Sequence, residues 1–370
     1  MENKAKRFLN IEILQAFGII CVFLGHAFRI YKTDGWYYHK TVPSIFYDMF
    51  ENIIYSFHMP LFVFLAGFLF YAHRDKIKNW KDYIIKRIKR LIVPFYVMGL
   101  LYVLPLICFI DPMNKQITFY YQQFLLLNQT WHLWFLPMLF LVTIFFVLHY
   151  SKFNKLNKLV LLLALISINF IKIKGIPYCI AMVPKFAIYF YLGCLCVEYK
   201  NHIENFCNKF SITMLSIFLI IMEIILYNYP KCIIYQLLCA TIAIALFYII
   251  ATYTSKKMNK ANIIIAFLSQ NLFLLYILHE QIMVLILKSF DWGNKYIPTI
   301  TGSIIFFITL TICVGIILIK NKFIKVKAWK KFLFRLILIC WCGSSSVGRV
   351  SAFQADCREF ESRLPLIKRG

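Results

Sequence analysis

A chain of 370 residues that is 61% hydrophobic, with a mean hydropathy of +0.70, is too apolar for a soluble domain. Its net charge of +25 would point a soluble protein towards nucleic acid. Here the Lys and Arg lie between apolar blocks, where they set topology and meet lipid headgroups, so an all-α polytopic membrane protein is expected and nucleic-acid binding is not.

The first block is Ile11–Ile30, IEILQAFGIICVFLGHAFRI. Twenty residues at about 1.5 Å each span roughly 30 Å, the thickness of a bilayer's hydrocarbon core. Glu12 and Arg29 lie near its ends, where a polar head reaches water. Gln15 and His26 interrupt it from within. An imidazole inside a membrane helix marks a functional candidate. Ten spans are expected, at 9–29, 52–72, 91–110, 131–150, 159–174, 176–198, 210–228, 232–253, 262–287 and 297–319. The fifth is short and ends in Lys172 and Lys174.

Between the second and third spans runs HRDKIKNWKDYIIKRIKR, 73–90. Trp80, Tyr83, Ile84 and Ile88 fall near helical spacing among the charges. Two readings fit: a basic amphipathic helix on an anionic leaflet, or a cationic rim for a phosphorylated ligand, with Arg87 and Arg90 as candidates. Placing the N-terminus in the cytoplasm puts 25 Lys and Arg on inside segments against 9 outside, counting Arg29, Lys172 and Lys174 at the outer ends of their spans. That bias supports two cytoplasmic termini. The twelve cysteines form no paired CxxC framework; those inside the spans, such as Cys21 and Cys313, read as small buried hydrophobes.

The organisation expected is a membrane domain over 1–331, a short apolar extension over 332–342 and a tail over 343–370. That tail resembles the conceptual translation of a bacterial transfer-RNA gene and is set aside as spurious or disordered.

With the N-terminus inside, His26, His58, His132, His279 and Glu280 all fall in the outer half of their spans. Each has a plain alternative. His132 sits between Trp131 and Trp134 as an interfacial anchor would. His58 precedes Pro60 and could bond backbone carbonyls. His279 and Glu280 could pair across a helix interface. No two of the histidines share one helix at a metal-binding spacing, so no metal site is expected. Lys185, inside a span beside Pro184, could snorkel or meet an anionic group.

In order, the blocks IEILQAFGIICVFLGH, FHMPLFVFLAGFLF, KRIKRLIVPFY, WHLWFLPMLF, YLGCL and FLSQNLFLLYILHE resemble the membrane-bound acyltransferase family 3 over about residues 8–330. The similar branch contains fucose O-acetylases and polysaccharide O-acetyltransferases. The resemblance implies an O-acyltransferase in a bacterial plasma membrane. It would move acetyl from acetyl-CoA to a hydroxyl of a cell-surface glycan or glycolipid, with no metal needed. It places a catalytic histidine on His26, with Glu280 or His279 orienting it or the acceptor. Gln15, His58, His132, Arg87, Arg90 and Lys185 are then candidates for binding substrate. Where the family has a basic residue, eleven positions before that histidine, this chain has Gln15. A transporter or flippase for a glycan or lipid-linked sugar, and an inactive copy of the family, are the rival readings. The transporter would be expected to show inverted repeats and broken helices at matching positions.

Overall fold

The computed structural model describes residues 8–29, 44–77, 79–110, 115–128, 130–153, 157–171, 175–205, 208–229, 232–258, 261–289 and 298–325. The extension over 332–342 and the tail over 343–370 lie outside the described residues. Every described element is helical, so the all-α polytopic reading stands.

Helix α1 (Leu9–Phe28) runs from the face that carries Phe8 to the far face, and α2 (Ile45–Ala72) returns. Stacking of Phe28 on Tyr47 at one end, and of Phe8 against Phe68 and His73 at the other, fixes the pair as antiparallel. The third crossing starts earlier than expected. Helix α3 (Trp80–Arg87) continues without a break into the helix that runs to Phe109. It passes through a π turn at Ile88–Ile92, α4 (Val93–Met98), a second π turn at Gly99–Val103 and α5 (Leu104–Ile110). Each π turn comes just before a proline, Pro94 or Pro105. A proline has no N–H and crowds the carbonyl four residues back, and one wider turn relieves both problems.

Helix α6 (Ile117–Leu125) dips back into the bundle. Its Phe124 stacks on Phe95, near the middle of the third crossing, with ring centres 4.7 Å apart. The approach is so close that a Cβ on Gly99 would stand 2.0 Å from the Phe124 ring. Past α6 the chain turns through Leu127 (φ 59°) and Trp131 (φ 47°). Both are left-handed residues without glycine's freedom, a strain that tertiary packing must hold. A 3-10 turn at Trp131–Trp134 then leads into α7 (Phe135–Phe153).

The expected spans are present, the fifth as the short member the sequence indicated. Among the described residues nine helices are long and apolar enough to cross a membrane, and the fifth expected span is only a 13-residue apolar helix, Lys158–Phe170, containing α8 (Lys158–Ser167). Its ends still lie on opposite faces. Lys158 pairs with Glu198 at the close of α9 (Tyr178–Glu198), beside Lys200, which lies over the Phe8 ring. The start of α9 lies at the other end: Tyr178 meets Trp134, and the Cys179 N–H donates to the Leu127 carbonyl at 3.2 Å. The chain therefore changes sides between 157 and 178.

Helices α2 and α9 cross at van der Waals contact. A Cβ on Gly67 would lie 2.0 Å from the Phe190 carbonyl oxygen, and one on Gly193 would lie 2.1 Å from that of Phe64. Where lipid is as apolar as leucine, such small residues let backbones approach and gain dispersion energy. After the short α10 (Lys200–Asn205), helices α11 (Lys209–Asn228) and α12 (Ile233–Lys256) form a hairpin with its own apolar cluster around Leu219, Met222 and Ile242. The ninth expected span is split. Helix α13 (Ile263–Gln270) ends at Asn271, whose amide bonds back to the Phe267 carbonyl, and α14 (Leu272–Ser289) follows. Finally α15 (Pro298–Lys325) runs antiparallel to α1: Phe306 packs near Phe23, and Gly302 lies under Phe28. The described chain begins and ends on one face.

Candidate functional site

In the far half of the bundle α1, α2, α9, α11, α12 and α14 enclose a cavity of about 1460 Å³. His26 is half-buried on its wall. Its Nδ1 lies 3.4 Å from the Tyr55 hydroxyl. Arg29, one turn on, lies 4.8 Å over the Tyr55 ring and pairs with the buried Glu51 at 2.9 Å. Arg29 is thus held inward rather than reaching water as the sequence suggested. Glu12, expected to do the same at the other end, is fully buried.

The four histidines do converge. The His26 ring centre is 4.9 Å from that of His279, which is 5.4 Å from that of His132. His58 lies across Tyr55, whose ring is 4.8 Å from it. Backbone carbonyls fix several protons, because a carbonyl only accepts. His279 Nδ1 donates to the Tyr276 carbonyl at 2.7 Å, so its Nε2 carries the lone pair; that Nε2 is buried and has no partner. His58 Nδ1 donates to the Ile54 carbonyl at 2.8 Å, one turn back on its own helix. Pro60 frees the Ser56 carbonyl, so His58 is not repairing the proline break.

His132 is no interfacial anchor. It is 6% exposed and donates through Nε2 to the Ile277 carbonyl at 3.1 Å. Its Nδ1 is 2.9 Å from Glu280 Oε2 and 3.4 Å from the Gln281 amide. His132 thus sits between a helix carbonyl and a carboxylate, with Glu280 Oε2 within hydrogen-bond reach of its Nδ1. Glu280 therefore engages His132, while His279 is the neighbour of His26.

Lys185 reaches the same cavity, exposed to it between Met182 and Phe186. Two residues that the sequence reading passed over also line it. Tyr55 carried no signal. Glu223 carried a clear one, a lone carboxylate inside an apolar span; it accepts from Ser56 Oγ at 2.6 Å.

Gln15, Arg87 and Arg90 are not in this cavity. They line a second one, of about 100 Å³, with Leu65, Phe135 and Leu272 among its apolar walls. Arg87 is 3% exposed and donates through Nε and Nη2 to the Tyr83 hydroxyl, at 2.9 and 2.6 Å, one turn back on α3. Tyr276 lies in the walls of both cavities, and its hydroxyl donates to the His132 carbonyl. Among the described residues no three His, Cys, Asp or Glu are placed to hold a metal ion.

A polytopic helical bundle with imidazoles facing an enclosed cavity, and arginines facing a second one behind it, defines a membrane protein built to handle polar groups inside its bundle. The family model described as an acyltransferase domain matches residues 8–319, and the chain belongs to acyltransferase family 3. It is thus a membrane acyltransferase, which implies a lipid bilayer, an acyl donor and an acceptor. No curated protein and no solved structure matched the chain.

Proposed function

We propose that the protein is an O-acyltransferase that moves acetyl from acetyl-CoA to a hydroxyl of a cell-surface glycan or glycolipid. On this reading it sits in a bacterial plasma membrane with both termini in the cytoplasm. The observation that carries the reading is Tyr276, which stands between a large cavity holding His26 and a narrow one holding Arg87 and Arg90. Two substrates can then enter from different sides and meet at one wall.

A sugar hydroxyl is a weak nucleophile near neutral pH and needs a base within hydrogen-bond reach. His26 takes the hydroxyl proton as the oxygen attacks the thioester carbonyl carbon. The carbon–sulfur bond then breaks, and the thiolate of CoA takes the proton back from His26. His279 packs edge-on beside His26, with ring centres 4.9 Å apart, and orients the imidazole. The His132–Glu280 pair and His58 bind the acceptor's hydroxyls from the opposite wall, and Lys185 meets any anionic group on the acceptor. Arg87 and Arg90 serve the phosphates of CoA, a task suited to guanidinium. A volume of about 1460 Å³ exceeds the usual range for small-molecule pockets, which fits an acceptor of several sugar units.

The test is transfer of label from radiolabelled acetyl-CoA in membranes of cells expressing the chain, with glycan and lipid fractions counted separately against empty vector. Label above vector in either fraction supports the reading. Label that stays in CoA in every membrane preparation, including those supplied with bacterial envelope glycans, goes against it.

A further inference from the structure

The narrow cavity contains one polar atom that the fold leaves unanswered. Gln15 is 4% exposed on the cavity wall, and its Oε1 has no hydrogen-bond partner. A buried carbonyl oxygen left without a donor is costly, so its presence in a wall calls for one. Apart from Gln15, Arg87, Arg90 and Tyr276, the lining is apolar.

We propose that Gln15 Oε1 accepts a hydrogen bond from an amide N–H of the donor's pantetheine arm. This rests on the CoA reading above. A carbonyl cannot bind phosphate, because both are acceptors. An unbranched arm is thin enough to enter a narrow cavity of about 100 Å³. That arm carries two amide N–H groups, four and eight bonds from the acyl carbon.

The spacing on α1 agrees. Gln15 and His26 are eleven residues apart, about 16 Å along the helix axis. At about 1.2 Å per extended bond, the farther amide puts the acyl carbon about 9–10 Å nearer His26. The remaining gap is what an acceptor oxygen occupies when bonded to imidazole on one side and lined up on the acyl carbon on the other. The glutamine thus takes over a position where the family has a basic residue, and reads a neutral part of the donor instead. The arginines remain for the charged part.

The experiment is equilibrium binding of labelled CoA to the purified full chain, with unlabelled pantetheine as competitor. Gln15→Met removes the acceptor at nearly constant volume. It should weaken CoA and pantetheine by the same factor, roughly three- to tenfold. Gln15→Glu, which keeps an acceptor oxygen, should restore pantetheine binding, and this guards against a loss caused by misfolding. Arg87→Ala and Arg90→Ala should weaken CoA and leave pantetheine unchanged. If Gln15→Met weakens CoA but not pantetheine, or if Gln15→Lys tightens CoA, Gln15 serves the phosphates and the proposal is overturned. Wild-type chain that binds neither molecule overturns the donor reading itself, a result distinct from either.

Discussion

The protons at the site can be counted residue by residue. Because Ile277 and Tyr276 supply carbonyl acceptors, His132 Nε2 and His279 Nδ1 must carry hydrogens. His132 Nδ1 is left facing Glu280 Oε2 at 2.9 Å. Glu280→Gln keeps a partner for His132 Nδ1 and should leave stability within about 1 kcal/mol of wild type. Glu280→Leu leaves His132 Nδ1 only the longer contact to the Gln281 amide and should lower it by about 1–3 kcal/mol, read by thermal unfolding of the purified chain. Outside the membrane, His73 caps α2 with Nδ1 donating to the Leu69 carbonyl. Burial pushes its pKa below the usual histidine value; the hydrogen bond opposes this, and Lys76 adds to the lowering. The unfolded chain then binds the proton more readily than the folded one. Stability from this group is full above the unfolded value near 6.5 and falls as pH drops towards the lowered one. His73→Asn should flatten the loss of melting temperature between pH 7.5 and pH 5.5.

Among the elements, the α2–α9 crossing is the tightest joint. Ala at Gly67 or Gly193 would drive a methyl into backbone, which cannot rotate away, and should cost about 1–3 kcal/mol. Gly315 has open space around its Cβ position, so Gly315→Ala should be neutral or slightly stabilising. Heat-resistance of the detergent-solubilised variants separates the two cases. The limits of sequence reading are plain at this scale. Apolar length located the spans, because twenty buried apolar residues have few other places to go. It missed the dip of α6, since nine residues with Tyr120 and Phe124 inward read as an ordinary loop when Phe95 is unknown. His26 was legible as a polar break in an apolar run. Tyr55 was not, because a tyrosine near a span end is ordinary.

For the whole molecule, the charge bias and the packing agree that both described ends share a face, with ten changes of side if the 13-residue helix counts as one. A short helix over 158–170 spans only about 20 Å, less than the hydrocarbon core of a bilayer. Epitope tags inserted after Asn157 and after Gly175 in the full chain should be reached by antibody from opposite sides of sealed vesicles. Access from one side only would make this helix re-entrant and would reverse α9 onwards. Sidedness matters because Tyr276 separates a cavity reached from the far half from one that holds Arg87 and Arg90. The central claim, that His26 is the base of the transfer, is tested most directly by His26→Ala. Transfer of labelled acetyl and binding of CoA should be measured on the same purified chain. A base of this kind contributes about 10²–10⁴-fold, so transfer should fall at least a hundredfold with CoA binding unchanged. Full transfer by the His26→Ala chain would contradict the account.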